Sequence, residues 1–225
     1  MTTGKSSAGV CVVVGTGPGI GQAVAKRFGR AGYSLGLIAR KKESLDGFVA
    51  GMKTIDVDAA AYVADAEHAP SLVDALTRVH NELGPIDVLI YNAAVLKRGS
   101  PFDIGVERLV REFRVNVGGA LVCAQQVVPA MKARKQGTIL LTGGGLALDP
   151  WPAMTSLAIG KAGLRNLALS LHKELKESGI RVATVTIDGL VKPGAGALDP
   201  AAIAETFWAL HEQPAASGEA ERVVH

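Results

Sequence analysis

Val10-Cys11-Val12-Val13-Val14-Gly15-Thr16-Gly17-Pro18-Gly19-Ile20-Gly21 decides how the rest of the chain is read. Cys11–Val14 is apolar and rich in β-branched side chains, the make-up of a strand buried on both faces. It runs into a turn with glycine at 15, 17, 19 and 21. Val24, Ala25, Phe28 and Ala31 then recur at helical spacing and stop at Gly32. Strand, glycine turn and helix together aim backbone N–H groups and the positive end of a helix at one spot, where a phosphate can sit. A Cβ there would obstruct the tight turn and hold a pyrophosphate away. A P-loop would need Lys and then Ser or Thr after its last glycine, and Gln22-Ala23 stands in that place.

Outward from this unit, strand-like and helical runs alternate. Strands are expected at Ser34–Ala39, Ala59–Ala64, Ile86–Tyr91, Thr138–Thr142, Ile180–Ile187 and Ala220–Val224. Helices are expected at Lys42–Met52, Pro70–Leu83, 104–114, 118–134, Met154–Ser178 and Pro200–His211. The pattern predicts an α/β Rossmann-type domain spanning 1–225: a doubly wound parallel sheet of about seven strands with helices on both faces. Only the extreme N-terminus and the Gly/Ala/Pro stretch 192–200 look irregular.

The bulk numbers agree. At 225 residues the chain is long enough for one sizeable core, and 48% hydrophobic with only 4% aromatic residues means that aliphatic side chains fill it. A net charge of +3, with basic residues clustered only at Arg40–Lys42 and Lys132–Lys135, argues against nucleic acid as a partner. Cys11 and Cys123 lie in apolar stretches and read as buried thiols of a reducing compartment. No apolar run approaches a membrane span and Met1–Gly9 has no signal core, so a cytoplasmic protein is expected. No metal-ligand spacing appears, and none of the five histidines is expected at a strand's carboxyl end.

In a doubly wound sheet the ligand lies beyond the carboxyl ends of the strands, where strand order reverses. An acid at the end of the second strand would hold the adenosine ribose hydroxyls. This chain has Ala39-Arg40-Lys41-Lys42 there instead. Arg40 can fork onto a 2′-phosphate and Lys41 adds positive charge, which favours NADP(H) over NAD(H).

At this point the chain resembles the short-chain dehydrogenase/reductase family over nearly its whole length. Gly15, Gly19 and Gly21 fall as in the family's Thr-Gly-x-x-x-Gly-x-Gly loop, with Val14 for the leading Thr; Gly17 and Ile20 belong to the same loop. Asp65, followed by Ala66, stands where the family contacts adenine, and Tyr91-Asn92-Ala93-Ala94 resembles its Asn-Asn-Ala-Gly stretch. Ile187-Asp188-Gly189-Leu190-Val191 resembles Asn-Pro-Gly-x-Val, which places Gly189 and Val191 beside the cofactor. Asn116 matches the Asn that kinks a helix and holds a catalytic water, and Lys161 matches the Lys of Tyr-x-x-x-Lys.

The resemblance fails at the catalytic centre. Leu157 occupies the Tyr position and Gly144 the Ser position. In the family Tyr supplies the proton, Ser polarises the substrate oxygen, and Lys binds the nicotinamide ribose while lowering the Tyr pKa. Leu and Gly supply neither proton nor side-chain hydrogen bond. Thr142 is about two residues of strand too far to replace the Ser, and Ser156 points about 100° away from Leu157 around its helix. Tyr91 is therefore the expected substitute acid. Asp188 is expected to face the cleft as a turn-forming residue, and the short 192–199 segment leaves little lid over it. Two readings follow: an atypical NADP(H)-dependent oxidoreductase acting on a carbonyl, alcohol or activated double bond, or a catalytically inactive NADP(H)-binding, sensing or interaction protein. The resemblance also implies a homodimer or homotetramer through helices 118–134 and 154–178, whose Ala120, Val122, Ala124, Val127, Val128 and Met131, and Leu164, Leu167, Ala168 and Leu171, are more apolar surface than one sheet face is expected to cover.

Overall fold

β1 (Gly9–Val14), α1 (Ile20–Arg30), β2 (Tyr33–Ala39), α2 (Lys42–Lys53), β3 (Ala59–Val63), α3 (Ala69–Leu83) and β4 (Ile86–Tyr91) form the first half of the molecule. The second half comprises α4 (Val106–Phe113), α5 (Gly119–Arg134), β5 (Gly137–Thr142), α6 (Thr155–Leu175), β6 (Ile180–Ile187), α7 (Pro200–His211) and β7 (Glu221–Val224). This computed structural model describes residues 8–225; Met1–Ser7, expected to be irregular and free of a signal core, lies outside the described residues. The seven strands make one parallel sheet in the order β3-β2-β1-β4-β5-β6-β7. The order turns back between β1 and β4, which opens a crevice above their carboxyl ends.

Strand periodicity sorts the core into two layers. Val12, Leu89, Ile139 and Val182 face α3, α5 and α6 through Leu72, Leu76, Ala124 and Leu164. Val13, Ile90, Leu140 and Val185 face α1, α2 and α7 through Val24, Phe28, Leu45 and Phe207. Successive side chains of one strand enter opposite layers, so both faces must be apolar and the strands read as continuous aliphatic runs. Cys11 and Cys123 are free and fully buried, and burial pushes the Cys123 thiol up to about 12. No helix among the described residues is long and apolar enough to cross a membrane.

The two helices expected at 104–114 and 118–134 run on with no loop between them, through a π-helical turn, Arg114–Gly118. Asn116 sits inside it, where its Oδ1 accepts the Val95 N–H at 2.8 Å and draws the loop after β4 against the helix. The apolar residues thought to be surplus on α5 and α6 are core: Ala120, Ala124, Val127, Met131, Leu164 and Ala168 are buried, and Val122, Val128, Leu167 and Leu171 pack against them. The exposed apolar side chains of this half are instead Val106, Val110 and Phe113 on α4, Leu121 on α5 and Ile159 on α6. Finally, a histidine does stand at a strand's carboxyl end. His225 follows β7 and its Nδ1 lies 3.2 Å from Asp188 Oδ2.

Candidate active site

Above the crevice the glycine turn is built by exclusion. Gly15 has φ +86°, a backbone state that L side chains avoid, and a Cβ on it would collide with the backbone of Asn92 and Ala93. A Cβ on Gly21 would lie 2.9 Å from the Gly15 carbonyl, so α1 starts in direct contact with the loop. Gly17 and Gly19 face open space instead. The first turn of α1 has no capping side chain and no acid, so its positive end is uncompensated where Gly17 and Gly19 leave room. Ile20 packs against the core below. A cradle of backbone N–H groups with space in front fits a pyrophosphate.

At the end of β2, Arg40 and Lys41 are exposed, with Lys41 at the N-cap position of α2. No carboxylate among the described residues pairs with Arg40, so its fork is available to a phosphate. Asp65 follows β3 and accepts the Glu67 N–H at 3.0 Å, while its own N–H donates to Ser71 Oγ at 3.2 Å; buried Ala66 closes the turn. These two hydrogen bonds brace the loop between β3 and α3.

The α6 face that carries Leu157 and Lys161 is tied to the glycine turn by a chain of hydrogen bonds. Asn92 Nδ2 donates to the Gly15 carbonyl at 2.9 Å, and Thr142 Oγ1 donates to Asn92 Oδ1 at 3.0 Å. Lys161 Nζ in turn donates to the Thr142 carbonyl at 2.6 Å. Lys161 is buried, and desolvation lowers its pKa to about 8. Leu157 and Lys161, four apart on α6, share one face. Leu157 is itself buried and belongs to neither core layer. Gly144 is extended, at φ −168°, and a Cβ on it would meet Lys161 Cε and Cγ at 3.4 Å, an ordinary contact. Gly144 and Leu157 are therefore both next to the Lys161 stem.

Tyr91 does not reach this face. It is fully buried, and its hydroxyl donates to the Val115 carbonyl of the π-turn under α5, beside Gly119. Burial raises its pKa well above the usual phenol value. An inaccessible phenol that holds its proton more tightly is no donor to a ligand in the crevice, which corrects the expectation for Tyr91. Asp188 is half exposed and engaged with His225. Beyond it Gly189 adopts φ +149° and Val191 packs on the core, which turns Leu190 out to solvent.

Sequence reading missed the seam between α4, the π-turn and α6. Glu112 accepts from Arg108 Nε at 2.8 Å and is 5% exposed. Glu112 Oε2 and Ser156 Oγ are buried next to each other along this seam, and Asn116 Nδ2 is buried there without a hydrogen-bond partner. Only the i, i+4 spacing of Arg108 and Glu112 gave a hint of it in the sequence. Thr142 was also missed as the link between Lys161 and Asn92; no local pattern marks it.

Comparison with known proteins bears on the same region. A family model described as short chain dehydrogenase matches residues 9–196. A short chain dehydrogenase of Pseudocercospora fijiensis is 30% identical over 202 residues, 88% of this chain and 64% of that protein, so this chain spans just under two thirds of that relative. The oxidoreductase UcpA of Escherichia coli K12 is 32% identical over 187 residues, 81% of this chain and 69% of that protein. Among solved structures, a metagenomic short-chain oxidoreductase in complex with NADP superposes with a TM-score of 0.88 at 27% identity and covers 97% of each chain.

Proposed function

Because the chain belongs to the short chain dehydrogenase family, we propose that it binds NADP(H) across the carboxyl ends of β1 to β6 and acts as an atypical oxidoreductase of low activity. Its substrate class is a carbonyl, an alcohol or an activated double bond. The carrying observation is the hydrogen-bond chain Gly15–Asn92–Thr142–Lys161, which couples the phosphate cradle to the face holding Leu157 and Gly144. The NADP complex of the metagenomic relative supports the choice of ligand.

In this reading Gly17, Gly19 and Gly21 and the N-terminus of α1 hold the pyrophosphate, and Arg40 with Lys41 hold the 2′-phosphate. Asp65 and Ala66 border the adenine, Asn92 and Ala93 the adjoining ribose, and Gly189 and Val191 the nicotinamide. The bound coenzyme supplies a hydride donor or acceptor. Lys161 places a cation at the nicotinamide ribose, and Asn116 keeps the helix bend that positions it. With Leu157 and Gly144 no side chain replaces the usual proton donor and oxygen-polarising hydroxyl. Missing acid catalysis costs about 10²–10⁴ in rate, and a missing oxyanion donor about 10²–10³. The burial of Tyr91 also favours the second reading, a catalytically inactive NADP(H)-binding or sensing protein. Self-association through exposed Val110, Phe113, Leu121 and Ile159 fits either reading.

The test is an NADPH fluorescence titration, followed by NADPH oxidation with a carbonyl panel for the wild type and for the Gly144→Ser/Leu157→Tyr variant. Saturable NADPH binding with turnover in the double variant is the expected result. Absence of NADPH binding refutes the cofactor reading. A folded, NADPH-binding double variant without turnover refutes the placement of the lost hydroxyls.

A further inference from the structure

The carboxyl ends of β4, β5 and β6 lie side by side in the sheet. Each releases a loop with large apolar side chains in solvent: Leu96 (73% exposed) after β4, Leu148 and Trp151 (50%) after β5, and Leu190 (76%) after β6. One such side chain means nothing, but four on three loops that leave adjoining strand ends make this end of the sheet unusually apolar. The first two loops are stitched together. The Gly99 N–H donates to the Ala153 carbonyl at 2.9 Å, the Thr155 N–H returns to the Gly99 carbonyl at 3.3 Å, and Gly99 forms a parallel bridge with Met154.

That stitch holds Arg98 over the Trp151 ring, with the guanidinium carbon 5.1 Å from the ring centroid. The Arg98 carbonyl is itself fixed by Arg108 Nη2 at 2.8 Å. Among the described residues Arg98 has no carboxylate partner. Glu112 is taken by Arg108, Asp103 accepts from Ser100 Oγ at 2.5 Å, Asp188 faces His225, and Asp149 on the same loop forms no ion pair. An arginine laid on an indole without a counter-ion, on a loop end that also exposes leucines, matches a flat apolar body carrying an anion. The guanidinium fork accepts a carboxylate, while the ring system covers Trp151 and the leucines.

We propose that this rim selects planar aromatic carboxylates, with Arg98 receiving the carboxylate and Trp151, Leu96, Leu148 and Leu190 receiving the ring. The inference rests on the oxidoreductase reading only in treating the bound acid as substrate, because the rim itself is independent of the cofactor cradle.

The experiment is calorimetry with 2-naphthoate and its uncharged isostere 2-naphthamide, on the apoprotein and on protein whose NADPH binding has first been measured separately. We expect naphthoate to bind at least about tenfold more tightly than the amide, the difference a charge-assisted fork supplies. Arg98→Met should remove that preference and leave the amide unchanged. Arg98→Lys should keep part of it, because charge remains without the fork. Trp151→Ala should weaken both ligands, and Lys53→Met, on distant α2, neither. Equal affinities, an unchanged preference in Arg98→Met, or no saturable heat with naphthoate would overturn the proposal. Naphthoate binding without NADPH binding would defeat the cofactor reading alone, and the converse would defeat this inference alone.

Discussion

Replacing Lys161 with Met probes the electrostatics of the candidate site. Burial lowers the amine from its ordinary 10.5 to about 8. At about 1.4 kcal/mol per pH unit, that is about 3 kcal/mol by which the fold resists the charge. Below pH 8 the amine is charged in both folded and unfolded chains, and this cost is fully present. Between pH 8 and 10.5 the folded protein gives up the proton first, the unfolded chain holds more protons, and stability rises with pH. Against the burial cost stands the 2.6 Å hydrogen bond to the Thr142 carbonyl, worth about 1.5–3 kcal/mol for a charged donor. The two nearly cancel at neutral pH, so Lys161→Met should lie within about 1 kcal/mol of wild type there. Toward pH 10.5 wild type should gain about 3 kcal/mol on the variant. Urea denaturation of both proteins between pH 7 and 10.5, read as the difference in unfolding free energy, isolates this one titration from all others. A difference that stays flat across the window would refute the buried, desolvated amine. NADPH affinity of the variant at pH 7 should fall together with the loss of the cation.

Gly15→Ala forces an L residue to φ +86° and drives a Cβ into Asn92 and Ala93, so thermal melting should show a loss of at least about 2 kcal/mol together with NADPH binding. Tyr91→Phe removes the hydrogen bond to the partly buried Val115 carbonyl and should cost about 0.5–1.5 kcal/mol in denaturant unfolding; its NADPH affinity should match wild type, and a lost turnover would restore Tyr91 as the acid. Arg40→Asp should reverse coenzyme preference, with at least about a tenfold shift from NADPH toward NADH in competition titration. Arg165→Met removes the paired contacts at 2.6–2.9 Å that fasten α6 to Glu221 on β7, and hydrogen exchange should show β7 amides opening more easily than those of β6.

Local signals carried much of this molecule. The glycine turn, the aliphatic strand runs and the helical spacing of Val24, Ala25 and Phe28 are short-range patterns, and they placed every strand to within two residues. Leu157 and Lys161 were legible for the same reason: four residues on a helix always share a face. Side-chain direction at the end of a strand buried on both faces was not legible. Leu89 and Tyr91 enter one layer while Val88 and Ile90 enter the other, and both layers are apolar, so composition could not tell core from crevice. Tyr91 went inward because Gly119, twenty-eight residues on, leaves room for its hydroxyl below the π-turn. The surplus once read on α5 and α6 vanished for a related reason: how much apolar surface a helix must hide depends on which elements cover it, and only the packed sheet decided that. Residue order along the chain was enough for the architecture and for the glycine turn after β1. The link from Gly15 to Lys161, the seam at Glu112 and Ser156, and the Arg98–Trp151 rim each join residues distant in sequence, and they exist only once the fold has brought them into contact.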